Sequence, residues 1–171
     1  ARIDSGKLEE IHFYNWVAIS FVFGLRPSEC DAVLEEKNIE TVKKVPVLVA
    51  LQTKLAVLNE FEREKRIPVI CSEQARALSH IEKGQAKRPT PKWIMEKLKS
   101  EIPKGEVFDL YCGRKGFTDF MLAKGQSLEN IANFMGHKNI STTWKFYRNR
   151  QKVDFDPTTF TETNYSKKKS G

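Results

Sequence analysis

Apolar residues near the N-terminus recur at helical spacing and then stop abruptly. From Leu8 to Phe23 they mark the buried face of a helix, and Gly24 is a typical residue for its end. The chain then turns at Arg26, and Ser28 is the predicted N-cap of a second helix. The longest apolar run, residues 16–25, is shorter than the roughly 20 residues that a membrane-spanning helix needs. The sequence therefore predicts a soluble protein in which a buried core helix meets a second helix at Arg26.

Two short runs of β-type sequence interrupt this helical pattern. Residues 45–53 and 66–71 predict a small antiparallel sheet, and residues 55–65 are predicted to be its hairpin tip or an extended loop. Further helices, two of them with Asp109 and Ser127 as predicted N-caps, are expected over residues 73–83, 93–100, 109–124, 127–135 and 141–150. The prediction is an α+β fold, mainly α-helical with a small antiparallel β-sheet.

The composition fits one basic domain. At 171 residues and 40% hydrophobic content, the chain is long enough for a single core. We expect residues 1–153 to form this domain and residues 154–171, which are rich in Thr, Asn and Lys, to be a flexible tail that can dock on a neighbouring protomer. The formal charge of +7 makes nucleic acid the first partner to test, although many basic proteins bind none.

The three cysteines are widely spaced along the chain. Cys30, Cys71 and Cys112 form no CxxC pair and have no neighbouring histidine, which argues against disulfides and against a zinc site. We therefore expect a cytoplasmic protein in a reducing compartment.

Four short motifs follow one another in an order that is more specific than any single motif. They are residues 24–29 (GLRPSE), 111–117 (YCGRKGF), 122–125 (LAKG) and 135–143 (MGHKNISTT). In this order they resemble the C-terminal catalytic domain of tyrosine recombinases, or phage-type integrases, over roughly residues 8–150. The last run follows the family pattern almost residue for residue.

The resemblance implies a set of catalytic residues. Arg26 and Arg114 match the two arginines of the family, and His137 matches a histidine that follows them. Glu29 matches the carboxylate that orients the first arginine. Tyr111 stands where the family usually has histidine, and a tyrosine would more readily donate a hydrogen bond than act as a base at neutral pH.

The resemblance leaves two positions open between alternatives. Lys54, after the first predicted strand, matches the catalytic lysine of the family, and Lys65 is a weaker alternative. Tyr147, ten residues past His137, matches the nucleophile. Many members place the nucleophile nine residues past that histidine, where this chain has Phe146, so Phe146 is the rival position.

These residue types suit the chemistry that the resemblance implies. Attack on a DNA phosphodiester builds negative charge on the phosphate oxygens, and Arg26 and Arg114 can each hold two of them through a fork-shaped, permanently charged group. His137 would add another donor. Attack by the oxygen of Tyr147 would form a 3′-phosphotyrosyl link and release a 5′-hydroxyl, for which Lys54 is the candidate acid. By resemblance, the reaction requires neither a metal nor a cofactor.

The family also implies the partners of the protein. We expect it to bind double-stranded DNA at specific recombination sites, as a homo-tetramer on DNA and as a monomer when isolated. An N-terminal DNA-clamping domain usually precedes the catalytic domain, and we expect it to lie outside these residues. Many members belong to phages or mobile elements. The basic residues that we expect to contact DNA phosphates, each with solvated surface as its alternative, are Lys87, Arg88, Lys115, Lys138 and Arg148.

Three other functions compete with an active recombinase. The first is a DNA-binding member of the same fold that has lost cleavage, because Phe146 and Tyr111 depart from the usual pattern. The second is a type IB topoisomerase, which shares the chemistry but relaxes supercoils without sequence preference. The third is a basic helical RNA-binding or adaptor domain.

Overall fold

The structure is a computed structural model that describes residues 5–52, 64–98, 101–104, 106 and 109–137. The helices in these ranges are α1 (Ser5–Phe23), α2 (Pro27–Glu36), α3 (Ser72–Glu82), α4 (Pro91–Leu98), α5 (Cys112–Ala123) and α6 (Leu128–Met135). The strands are β1 (Ile39–Val42), β2 (Val45–Leu51) and β3 (Glu64–Pro68). The predicted class, mainly helical with a small antiparallel sheet, is confirmed.

Helix α1 lies at the centre of the molecule. Its side chains Trp16, Ile19 and Phe23 are buried, and the helix packs against α2, α3 and α5. Burial of each such side chain contributes about 1.5–3 kcal/mol to folding. The contact with α5 requires a glycine, because a Cβ at Gly116 would lie 2.2 Å from the ring of Phe21. The backbone of α5 is thereby held close to the end of α1.

The sheet has the order β1-β2-β3 and is antiparallel throughout. Its middle strand, β2, is buried over residues 47–50 and covers one side of the core. In the register between β2 and β3, Val47 lies opposite Pro68 and Ala50 lies opposite Lys65. The C-terminal end of β2 and the start of β3 therefore lie side by side.

A second apolar cluster joins α5 to α6. It contains Phe117, Met121, Ile131 and Met135, all of them buried. Helix α6 begins where the Ser127 hydroxyl accepts a hydrogen bond from the backbone N–H of Asn130, so the predicted N-cap at Ser127 is confirmed. This cluster fixes the end of α6 relative to α5.

Several predicted boundaries were wrong for identifiable reasons. Ser28 is not an N-cap, because α2 begins one residue earlier, at Pro27, and Arg26 takes the capping position. Asp109 does not cap α5 directly, because its carboxylate accepts from the backbone N–H of Tyr111 and the helix begins at Cys112. The assignment of residues 55–65 to a loop fails at its end, because β3 already begins at Glu64.

One strand was not predicted from the sequence, and one predicted helix lies outside the described residues. The strand is β1, and the helix is the one predicted over residues 141–150. Within the described ranges, no helix combines the length and apolar character that crossing a bilayer requires. In the same ranges, no group of three or more His, Cys, Asp or Glu residues is placed to hold a metal ion.

Candidate functional site

Glu29 is the centre of a cluster of charged residues beneath the junction of α1 and α2. Its side chain is fully buried, and one carboxylate oxygen, Oε1, accepts a hydrogen bond from Arg26 Nη1 at 2.6 Å. The other oxygen, Oε2, accepts from the backbone N–H of Arg26 at 2.9 Å. Glu29 therefore fixes both the backbone and the guanidinium of Arg26.

Lys65 reaches the same carboxylate from β3. Its Nζ lies 2.6 Å from Glu29 Oε2, and its side chain has no exposed surface. The strand explains this direction, because alternate residues face the same way and Ile67, two residues later, is also buried. Lys54 lies outside the described residues, so Lys65 is the lysine that the structure places in the cluster.

Arg114 enters the cluster from α5 and ties distant segments together. Its Nη1 donates to the carbonyl of Gly24 at 2.6 Å, and its Nη2 donates to the carbonyl of Met135 at 3.1 Å. Both carbonyls belong to helix ends, where backbone acceptors lack partners within the helix. Arg114 Nη1 also lies 3.8 Å from Glu29 Oε2. The guanidinium is therefore nearly buried and held on several sides.

His137 follows the last turn of α6 and faces Arg114. Gly136 ends that helix with φ of 69°, and the backbone N–H of His137 then donates to the carbonyl of Ala132. The Nε2 of His137 lies 3.3 Å from Arg114 Nη2. Because a guanidinium can only donate, Nε2 must be the acceptor in this contact, which places the ring proton on Nδ1.

The five residues Arg26, Glu29, Lys65, Arg114 and His137 are called the Glu29 cluster below. Three permanent or near-permanent cations surround one carboxylate, so the cluster carries a net charge of +2 when His137 is neutral. A buried excess of positive charge is costly unless an anion joins it. The arrangement is therefore suited to receive an anion.

The pKa values of the cluster follow from burial and from these neighbours. Burial alone would raise the pKa of Glu29, but Lys65 and Arg26 outweigh it and hold that pKa below its ordinary value. Burial lowers the pKa of Lys65 to about 8 against the attraction of Glu29. Burial and then Arg26 lower the pKa of Arg114 to about 10. At neutral pH the carboxylate is ionised, and both the ammonium and the guanidinium are protonated.

The same causes keep His137 neutral. Burial, then the Arg114 guanidinium and then that of Arg26 lower the pKa of His137 to about 4. A neutral imidazole is what the contact with Arg114 requires. His137 is thus a group whose charge will respond to any anion that enters the cluster.

Tyr111 lies at the start of α5, one helical turn before Arg114. Its side chain is exposed, and its backbone N–H donates to the Asp109 carboxylate. The structure therefore places Tyr111 at the rim of the region, while Arg114 lies inside it.

The basic residues predicted to contact DNA differ in whether they form side-chain contacts within the protein. Arg88 is engaged with α1 and α2, since its guanidinium lies over the ring of Trp16 and its Nε lies 2.9 Å from Asp31 Oδ2. Lys115 forms an ion pair with Asp109, and Lys87 is exposed. The predicted site residues outside the described ranges are Lys54, Lys138, Phe146, Tyr147 and Arg148.

Sequence reasoning missed the position of Gln52. This side chain is buried, and a Cβ added to Gly136 would lie 2.4 Å from its amide. Gln52 is the last described residue after β2 and precedes Lys54 by two positions. It packs the end of that strand against the turn that carries His137. No local pattern marks such a contact, because it joins positions far apart in the chain.

The fold resembles that of a known class of protein. The architecture is that of a tyrosine recombinase catalytic domain, with a three-stranded antiparallel sheet beside a helical core. A solved structure with this fold is the XerH site-specific recombinase bound to its palindromic difH substrate in a post-cleavage complex. The superposition has a TM-score of 0.54 at 11% sequence identity and covers 92% of this chain and 45% of that one.

The present chain thus spans less than half the length of that recombinase. No family model and no curated protein matches the sequence. The likeness therefore concerns the fold.

Proposed function

We propose that this chain is the catalytic domain of a site-specific DNA recombinase, which cleaves and rejoins DNA through a 3′-phosphotyrosyl intermediate. The observation that supports the proposal is the Glu29 cluster, in which three cations converge on one buried carboxylate within a tyrosine recombinase fold. The net positive charge of the cluster matches the charge of a DNA phosphodiester and the additional charge that develops during its cleavage.

Arg26 and Arg114 are suited to hold the phosphate. Their side chains are the cationic members with exposed surface, 16% for Arg26 and 9% for Arg114, whereas Lys65 has none. Each guanidinium can direct two N–H groups at two oxygens. Because both are already fixed by hydrogen bonds, little reorganisation is needed when charge builds on the phosphate.

His137 adds a donor once the phosphate is bound. The phosphate anion counters the cations that lower the pKa of His137, so the imidazole gains proton affinity in the complex. A protonated His137 can then donate to a phosphate oxygen from either ring nitrogen. Tyr111 contributes a hydroxyl at the rim and takes the place of a histidine.

The bond changes require a nucleophile and an acid. The hydroxyl of Tyr147 gives up its proton to water as its oxygen attacks phosphorus, the bond from phosphorus to the 5′ oxygen breaks, and Lys54 gives a proton to that leaving oxygen. The phosphotyrosyl bond keeps the energy of the broken bond for rejoining, so none of these steps uses a metal or a cofactor. Lys138, Arg148, Lys87 and other basic residues would bind the flanking backbone of a specific double-stranded site, with a homo-tetramer as the active assembly.

A disabled DNA-binding protein is the second candidate, and one specific observation favours it. Phe146 occupies the more common nucleophile spacing, and it lacks the hydroxyl that the reaction needs. A type IB topoisomerase is a third candidate, which would need the same cluster but no specific site.

The direct test is incubation of the protein with a suicide DNA substrate and detection of a covalent adduct on a denaturing gel. We expect the parent chain to form the adduct and Tyr147→Phe to abolish it. If only Phe146→Tyr forms adduct, the chain is a disabled member whose nucleophile belongs at 146. Relaxation of supercoiled plasmid without sequence preference would favour the topoisomerase. Binding with no adduct from any variant would contradict the proposed reaction.

A further inference from the structure

Lys65 is the most deeply buried cation of the Glu29 cluster. Its side chain and that of Glu29 have no exposed surface, whereas Arg26 and Arg114 reach solvent. The cluster therefore combines a fully buried carboxylate and ammonium with two guanidiniums that keep some exposed surface.

We infer that Lys65 is a positioning residue, which acts through Glu29 on the two arginines and does not itself protonate the leaving oxygen. This inference rests on the proposed function. An acid must touch the atom that it protonates. The ammonium of Lys65 has no exposed surface and lies 2.6 Å from Glu29 Oε2, so it is enclosed within the protein.

The contacts indicate what Lys65 does for Arg26. Glu29 uses Oε1 for the Arg26 guanidinium and Oε2 for the Arg26 backbone N–H. Lys65 also holds Oε2, so the carboxylate cannot rotate without loss of that ion pair. The orientation of Arg26 therefore depends on Lys65 through the Glu29 carboxylate that the two residues share.

The contacts also indicate what Lys65 does for Arg114. The Arg114 guanidinium lies 3.8 Å from Glu29 Oε2 and is instead bound to two backbone carbonyls. Without Lys65, Oε2 would lose its closest cation, and Arg114 would be drawn toward it. Lys65 thereby keeps Arg114 on the helix ends and available to phosphate.

The experiment compares two suicide substrates that differ in one atom, the 5′ bridging oxygen or a sulfur in its place. A thiolate leaves without protonation, so sulfur restores the rate of a variant that lacks the acid but not of one whose arginines are misplaced. We expect Lys65→Met to form adduct about 100-fold more slowly on both substrates, because a displacement of roughly 1 Å at a reacting group costs about that much. Lys54→Ala is the matched control and should be rescued by sulfur. Rescue of Lys65→Met by sulfur would overturn the inference.

A double-mutant cycle covers the case in which Lys65→Met alone does not fold. Loss of one partner of a buried ion pair costs about 3–5 kcal/mol, whereas replacement of both partners is often tolerated. If Lys65 acts through Glu29, then adding Lys65→Met to Glu29→Gln should change the cleavage rate less than twofold. A further large fall in the cleavage rate on adding Lys65→Met to Glu29→Gln would contradict the inference.

The outcomes for the inference and for the proposed function are separable. Absence of adduct from the parent chain on both substrates would contradict the proposed function. In that event, the same cycle is measured as DNA affinity, where additivity of Glu29→Gln and Lys65→Met would overturn the role of Lys65 and non-additivity would support it.

Discussion

At the scale of single residues, the contact between Arg114 and His137 sets how the protein responds to acid. The imidazole is neutral and accepts from the guanidinium, and its pKa in the folded protein is about 4. Protonation would place a cation against a cation and remove the acceptor. The contact is therefore stable only while the ring carries no charge.

We predict that acidification destabilises the protein through His137. The histidine pKa is about 6.5 in the unfolded chain and about 4 in the folded one, so the unfolded state binds more protons between these values. The free energy of unfolding should fall as the pH drops from about 6.5 to about 4, by on the order of 2 kcal/mol after allowance for solvent screening. Urea denaturation of the parent and of His137→Gln across this range measures the difference.

The control for this prediction is His80→Gln, which removes a histidine outside the cluster. Protonation of Glu29 also lowers the free energy of unfolding, but at lower pH, because the pKa of that carboxylate is below its ordinary value. This loss is common to the parent, His137→Gln and His80→Gln. A pH slope in His137→Gln equal to that of the parent would contradict the assignment.

Arg114→Lys is predicted to damage both stability and cleavage. An ammonium is a single point donor and cannot bond the carbonyls of Gly24 and Met135 while it also faces the phosphate. We expect a loss of about 2–3 kcal/mol in the free energy of unfolding, from buried acceptors left without donors, and a fall of about 100-fold to 1,000-fold in the rate of adduct formation.

Arg66→Lys is a matched control for that substitution. Arg66 is an exposed arginine on β3 that pairs with Glu40 and Glu64, and such surface pairs contribute about 0–1 kcal/mol. Chemical denaturation and adduct yield are measured for both variants. Equal losses of stability and of adduct yield from Arg114→Lys and Arg66→Lys would contradict the role given to the Arg114 guanidinium.

At the scale of elements, the turn after α6 packs against Gln52 at the end of β2. The same turn carries His137. Gly136 has φ of 69°, and its Cα hydrogen faces the Gln52 amide, which leaves no room for a side chain. The position of the imidazole therefore depends on the end of β2, the strand that leads toward Lys54.

We predict that Gly136→Ala costs more than the usual penalty for a left-handed residue. Strain at positive φ costs about 1–2 kcal/mol, and displacement of the Gln52 amide adds to it. Gly84→Ala is the matched control, since Gly84 has φ of 63° and no atom within 4 Å of the added Cβ. Thermal unfolding of both variants gives the difference, and equal losses would contradict packing of Gln52 against this turn.

Some elements could be predicted from the sequence because their signals are local. Gly24 ends α1 with φ of 62°, and Ser127 caps α6 through its own hydroxyl. Strand β1 could not be predicted in this way. Its hairpin turn is formed by Lys43 and Lys44, both at positive φ, where the sequence shows none of the Gly or Asn residues that normally mark such a turn.

The candidate site could be predicted only in part for a related reason. The motifs supplied Arg26, Glu29, Arg114 and His137, and the structure brings these residues together. The family resemblance favours Lys54, because it follows the first predicted strand, and leaves Lys65 as the weaker alternative. The alternation of Lys65 with Ile67 on the inner face of β3 is the signal that favours its place in the cluster.

At the scale of the whole molecule, the charge of +7 is not equally available to DNA. Arg88 is held by Asp31 and Trp16, and Lys115 is paired with Asp109, whereas Lys87 is exposed. Affinity for DNA is therefore expected to depend on a subset of the basic residues.

Lys87→Ala and Arg88→Ala should separate these roles. We predict that Lys87→Ala weakens DNA binding at all sequences and lowers the salt slope by about 1, as for loss of one phosphate contact. Arg88→Ala should lower thermal stability, because its guanidinium packs on Trp16, and should change the salt slope less. Fluorescence anisotropy over a salt series, with melting curves, measures both. A larger change in the salt slope for Arg88→Ala than for Lys87→Ala would contradict the separate roles given to these two residues.

The hydrogen bonds of Arg114 also determine when the site can exist during synthesis of the chain. They join a carbonyl 90 residues earlier in the chain to one 21 residues later. A nascent chain that has not yet reached Met135 contains Arg26 but lacks one of the two carbonyls that hold Arg114. At about 5–20 residues per second, roughly 5–20 s separate the synthesis of the first arginine from that of the last carbonyl. The Glu29 cluster therefore cannot be complete until α5 and α6 have left the ribosome.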